Sequence, residues 1–118
     1  MIEIELYNHL STNEDVSKLV QDRIFPLIAP TGTKTPYITY QNISDVDLTS
    51  VQGENYAQKT RFQIDIFSDD YLVVIEVNGA VKNSVYSFTN IFDFLSRDIP
   101  PEQDTGLYRR LIEFKINN

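Results

Sequence analysis

The sequence predicts an α+β fold: a small two-layer domain with a mostly antiparallel sheet of about four strands, one main helix packed across it, and short N-terminal helices. Three observations point that way. Residues 61–67, RFQIDIF, set Phe62, Ile64 and Ile66 against Arg61, Gln63 and Asp65, the period-two pattern of a strand with one buried face. Directly after it, Ser68-Asp69-Asp70 offers a helix cap with acids in the first turn, and Val74, Val77, Val81 and Val85 recur at spacings of three and four. A second alternating run, through Tyr108, Arg110, Ile112, Phe114 and Ile116, ends the chain. Strands close in sequence with one covering helix pair mostly antiparallel in a two-layer domain.

The remaining elements follow in order. Ile2, Leu6 and Leu10 share a helical face over 2–10, with Glu3 and Glu5 near the positive end of the helix dipole. Ser11 or Asn13 can cap a second short helix over 14–21, whose apolar face is Val16, Leu19 and Val20. Pro26, Pro30 and Pro36 each remove a donor and restrict the residue before them, so 23–36 is expected to hold the chain extended across the domain. It then delivers Tyr37 to Ile43 as a strand, with Ile38 and Tyr40 on one face.

Residues 44–60, SDVDLTSVQGENYAQKT to the start of the next strand, are polar and exceed an ordinary hairpin connection, which predicts a long functional loop. The valine pattern predicts a helix over 70–84, although its β-branched residues and Gly79 lower helix propensity. Tyr86 to Leu95 reads as a further strand offering Phe88 and Phe92 to the core, or as continued helix. Ser96 to Gly106, rich in Pro, Asp and Gly, reads as a loop.

The 118 residues bound the chain to one domain over 1–118, with 42% hydrophobic residues and enough length for a true core. Ten Lys and Arg against 17 Asp and Glu give a net charge of −7, which repels phosphate backbones and anionic membrane surfaces. The absence of cysteine excludes disulfides and thiol chemistry, and a single histidine excludes histidine-rich metal sites. No uninterrupted apolar run of spanning length and no basic leader occurs, so neither a secretion signal nor a membrane span is expected. Asn42-Ile43-Ser44 matches a glycosylation acceptor, but reads better as a polar strand end.

Several patterns carry chemistry only in part. Gly32-Thr33-Lys34-Thr35 lacks the glycine spacing of a phosphate loop and reads as a turn between prolines. Glu113-Phe114-Lys115 has the E-x-K spacing of a class of metal-dependent nucleases, in which the carboxylate holds Mg²⁺ and the lysine steadies water. Its required second carboxylate, Asp65 or Asp104, is specified by nothing. Asp45-Val46-Asp47 and Asp69-Asp70 are too few oxygen ligands for a divalent cation, and read as loop and cap acids. His9 has no nucleophile beside it and reads as a surface histidine. Nothing requires an enzyme or a cofactor. Arg61, Arg109 and Arg110, set beside aromatics in an acidic chain, are the composition of contact surfaces. With Asp45, Asp47 and Tyr56 they are the candidate oligomer or partner contacts.

Taken in order, Arg23-Ile24-Phe25-Pro26, Ala29-Pro30, Pro36-Tyr37-Ile38-Thr39-Tyr40-Gln41, Arg61 to Phe67, the Ser68-Asp69-Asp70-Tyr71 cap and the Arg109-Arg110 strand ending in Phe114 resemble the tail-completion proteins of long-tailed bacteriophages and prophages, the tail terminators or head-to-tail joining proteins. The resemblance spans nearly the whole chain. It implies an α+β domain that forms a homo-oligomeric ring, usually a hexamer, on the last ring of the tail tube and offers a surface to the head–tail connector protein. It also implies no cofactor, no membrane, assembly in the host cytoplasm and residence in the virion tail. DNA would pass through the ring channel without specific binding, which an acidic surface favours. Against this stand two alternatives: a metal-dependent nuclease-like enzyme using Glu113 and Lys115, and a monomeric partner-binding adaptor.

Overall fold

A computed structural model describes residues 1–49, 55–101 and 103–117. Among these, three helices and five strands run in the order α1 (Ile2–Thr12), α2 (Glu14–Val20), β1 (Ile24–Pro26), β2 (Tyr37–Thr49), β3 (Asn55–Ser68), α3 (Tyr71–Phe88), β4 (Ile91–Ile99) and β5 (Tyr108–Asn117). The strands make one sheet in the order β1-β2-β3-β5-β4, antiparallel except for the short β1–β2 pair. This is the α+β class the sequence predicts, with β1 as the strand beyond the expected four.

The core lies between one sheet face and the helices. Phe62, Ile64 and Ile66 of β3 and Ile112, Phe114 and Ile116 of β5 point inward, meeting Val74, Val77, Val81 and Val85 of α3 and Leu6, Leu10, Val16 and Val20 of α1 and α2. Phe62 and Phe114 face each other at 5.9 Å between ring centroids. The valine stripe tolerates its lower helix propensity because all four residues are withdrawn from water, and hydrophobic burial outweighs a few tenths of a kcal/mol per residue, roughly. Local signals start the helices as expected. The Asn13 side chain accepts from the Val16 amide, and Asp70 Oδ1 accepts from Leu72 N at 3.0 Å.

Four expectations change. Of the expected loop, 50–54 lie outside the described residues, and 44–49 and 55–60 are paired strand rather than loop: β2 runs on to Thr49 and β3 begins at Asn55, with Asp45 opposite Thr60 and Asp47 opposite Gln58. Their polarity misleads because Ile43 to Asp47 are exposed, with no layer packed over them, so no apolar face is needed. Residues 86–88 complete α3 rather than opening a strand, since Phe88 extends the Val81–Val85 stripe onto the core. The strand instead covers Ile91–Ile99, so Ser96 to Ile99 is paired rather than looped. Phe92 stands opposite Lys115 and under the Lys59 ammonium, 5.6 Å from its ring, and is not part of the buried cluster.

The fourth change concerns 23–36. The chain does not cross the molecule extended: β1 ends at Pro26, and 27–36 turns back so that Tyr37 can run parallel to β1. Leu27 and Gly32 adopt left-handed φ of 65° and 85° to make the turn, and the Leu27 amide donates to Tyr40 O at 2.9 Å. The Thr35–Pro36 bond is cis.

Candidate contact surfaces

Three surfaces stand outside the core. The first is the β2–β3 ribbon. Lys59 faces Asn117, the last residue of β5, and beyond that point, among the described residues, only β2 and β3 continue. β2 alone spans thirteen residues, about 43 Å of strand. The molecule is correspondingly long, 52 × 30 × 23 Å, with a radius of gyration of 15.3 Å against about 13.5 Å for a compact chain of this length.

At the ribbon root, Asp45 Oδ1 accepts from Thr60 Oγ1 at 2.7 Å, and Asn42 Nδ2 reaches both Asp45 and Glu3 of α1. Two residues further out along the strand, Asp47 accepts from Gln58. Both acids therefore brace the ribbon rather than gather around an ion. Val46 and Ile43 project into solvent beside them. Tyr56 belongs to β3 by backbone, and its side chain lies outside the described residues.

The second surface is the sheet face away from the helices. Residues 27–33 fold over part of it and leave a cleft of about 470 Å³, floored by Tyr37, Thr39, Asp65, Phe67 and Arg109. Asp65 is 4% exposed here. It accepts from Arg109 Nε at 3.1 Å and from Gln63 Nε2 at 2.9 Å. The Arg109 guanidinium also lies 5.5 Å from the Phe67 ring, which stacks on Tyr37. Arg61 pairs with Glu113 at 2.8 Å, and Lys115 with Asp93 at 3.0 Å. The E-x-K pair is thus divided between two separate ion pairs. Among the described residues, no three His, Asp or Glu side chains come together to hold a metal ion.

The third surface is the junction of α3 with β4. The Tyr71 hydroxyl donates to Asp98 Oδ2 at 2.7 Å, Arg110 Nη1 to Asp98 Oδ1 at 2.9 Å, and Arg110 Nε to Ser96 Oγ, which in turn donates to Asn78. The Tyr71 hydrogen bond, followed by Arg110, holds the Asp98 carboxyl below its ordinary value, and the same bond raises the Tyr71 hydroxyl. Because the folded carboxyl titrates below its unfolded value near 3.8, its stabilisation is complete above that value and is lost as pH falls through the lower folded one. Asp98→Ala is therefore expected to lower the melting temperature at neutral pH, with the difference from the native chain shrinking below about pH 4. A difference that stays constant into strong acid would remove Asp98 from this role.

His9 proves to be a pin between helices. Its Nε2 donates to Ser84 O at 2.8 Å and lies 3.2 Å from Ser87 Oγ, while the ring packs on Phe88. Sequence spacing could not foresee that pairing, because 75 residues separate His9 from Ser84. No helix among the described residues is long and apolar enough to cross a membrane.

Fold and surfaces together define a small α+β domain with a projecting ribbon and recessed surfaces, in which Arg61, Arg109, Arg110 and Lys115 are held in ion pairs. The family model described as tail completion protein gp17 matches residues 4–117, and the chain belongs to that family of structural phage tail proteins. Its fold is similar to that of a chain in the virion of a native gene transfer agent particle, with a TM-score of 0.69 and 15% identity over 95% of this chain and 90% of that one. No curated protein matches the chain by sequence.

Proposed function

We propose that the chain completes a phage or prophage tail by forming a homo-oligomeric ring, a hexamer, on the end of the tail tube, and presents its opposite side to the head–tail connector. The observation that carries this reading is the family match over residues 4–117. The ribbon supports it. A two-stranded extension such as this one, with Ile43 to Asp47 exposed, is marginal in isolation and gains stability when a partner covers it. Asp45, Asp47, Tyr56 and Arg61 stand on the ribbon or at its root and form the contact surface, while Arg109 and Arg110 brace the far end of the sheet.

The net charge of −7 suits a ring whose channel lets DNA pass without holding it. Assembly takes place in the host cytoplasm, and the ring remains in the virion tail. The reading assigns no catalytic step, because Glu113 and Lys115 are each engaged by an opposite charge elsewhere. Light scattering and negative-stain microscopy, with and without tail tubes, test it. The expected result is a ring at tube ends; a protein that stays monomeric and leaves every tube end bare would overturn it.

A further inference from the structure

The turn after β1 carries apolar side chains that the chain itself does not use. Leu27 is 71% exposed and Ile28 is 80% exposed. They are fixed in that position. Leu27 holds a left-handed φ of 65°, unfavourable for a bulky residue, locked by the bond from its amide to Tyr40 O, and the Ile28 amide donates to Pro26 O at 2.7 Å. A strained turn that holds two large apolar groups in water gains nothing for the isolated fold.

At the other edge of the sheet lies a matching recess. β1 and β4 are the two edge strands, four strand spacings apart, about 19 Å. A recess of about 260 Å³ opens where β4 ends and α3 begins, lined chiefly by Tyr71, Ile99, Pro100, Pro101 and Tyr108. Beside it, α3 exposes Leu72 at 69% and Ile75 at 44%. Two turns along from Leu72, Gly79 leaves the helix backbone bare: a Cβ there would meet nothing within 4 Å in its own chain. An exposed helical glycine costs stability relative to alanine and here serves no internal packing, but it lets another chain approach closely.

Charge agrees with the pairing. Lys34 on the turn and Glu76 on α3, one turn from Leu72, make no ion pair among the described residues. Asp70 adds a second acid at the start of α3. The knob follows one edge strand and the recess lies beside the other, so the two surfaces are distinct and can join one copy to the next in a single sense. Each copy passes one contact to the next, the heterologous arrangement that closes into a ring.

We propose that Leu27 and Ile28 of one copy seat in the recess between Tyr71, Ile99 and Tyr108 of the next copy, against its exposed Leu72, making the repeated contact of the ring. The partner is therefore a second copy of this chain, and the inference rests on the ring reading above. The chain contains no cysteine, so introduced thiols report unambiguously. Full-length Ile28→Cys and Leu72→Cys chains, mixed in equal amounts with tail tubes and treated with a short bismaleimide, are expected to give a cross-linked dimer that neither chain gives alone. Ile28→Asp is expected to lower the assembled population about tenfold, as loss of an interface anchor does, with an unchanged melting temperature. Rings at tube ends without the mixed cross-link, or with Ile28→Asp assembling as well as the native chain, would overturn the knob contact and leave the ring reading standing. Absence of any ring with native chains would overturn both.

Discussion

Replacing Phe62 with alanine is expected to lower the free energy of unfolding by about 3–5 kcal/mol, the range for removing a fully buried aromatic side chain. Phe62 is fully buried at the centre of the sheet, between the Phe114 ring and the helices. The lost burial is one part of the cost. The other is the void, which β3 cannot close because it is hydrogen-bonded on both sides, to β2 and to β5. Since domains of this size have about 5–15 kcal/mol in total, the variant would be marginal. Urea unfolding measures it: the midpoint should fall strongly with an unchanged slope. A loss under about 1 kcal/mol would mean that the two-phenylalanine contact is not central to the core.

Arg109→Met is expected to cost about 2–3 kcal/mol, below the range of about 3–5 for breaking a wholly buried pair because Arg109 is partly open to water. The loss is asymmetric. Asp65 stays buried with only Gln63 to receive it once the guanidinium is gone, whereas Arg109 without Asp65 can still reach solvent. Asp65→Leu combined with Arg109→Met should recover most of the loss, because two apolar side chains suit a buried site once no charge is stranded. A double-mutant cycle under urea reads the coupling directly. Additive losses would show that the ion pair is not the reason for the burial of Asp65.

The parts of the fold that were legible in the sequence are those where one physical demand acts alone. Phe62, Ile64 and Ile66 alternate because one face of β3 is dry and the other is not, and Val74 to Val85 recur because one stripe of α3 meets that dry face. The ribbon was illegible for the opposite reason. With no layer against Ser44 to Asp47, pairing there is carried by the backbone and by contacts such as Asp47 with Gln58, and these leave no hydrophobic period. The three prolines did announce a departure from helix, but its direction depended on left-handed Leu27 and on the bond to Tyr40, which are tertiary facts.

The candidate residues divide in the same way. Composition singled out Arg61, Arg109 and Arg110, and each is tied to a carboxylate in its own chain. Asp65 and Asp98 could not be identified as those partners from spacing alone, because the first is 44 residues from Arg109 and the second lies on another strand. Leu27 and Ile28 lie within 23–36, the segment read as extended across the domain. Exposure at a turn overrides that reading, and only the path of the backbone reveals it.

The edge strand β4 carries a further consequence. Its outer side offers unpaired backbone groups, the template on which sheets of different molecules can join without limit. Asp93, at a φ of 52°, throws the strand out of register between Phe92 and Leu95, and Arg97 and Asp98 follow as charges along the same edge. A kinked, charged edge resists open-ended stacking. Side-chain surfaces, rather than this strand edge, are therefore the better suited to hold copies together.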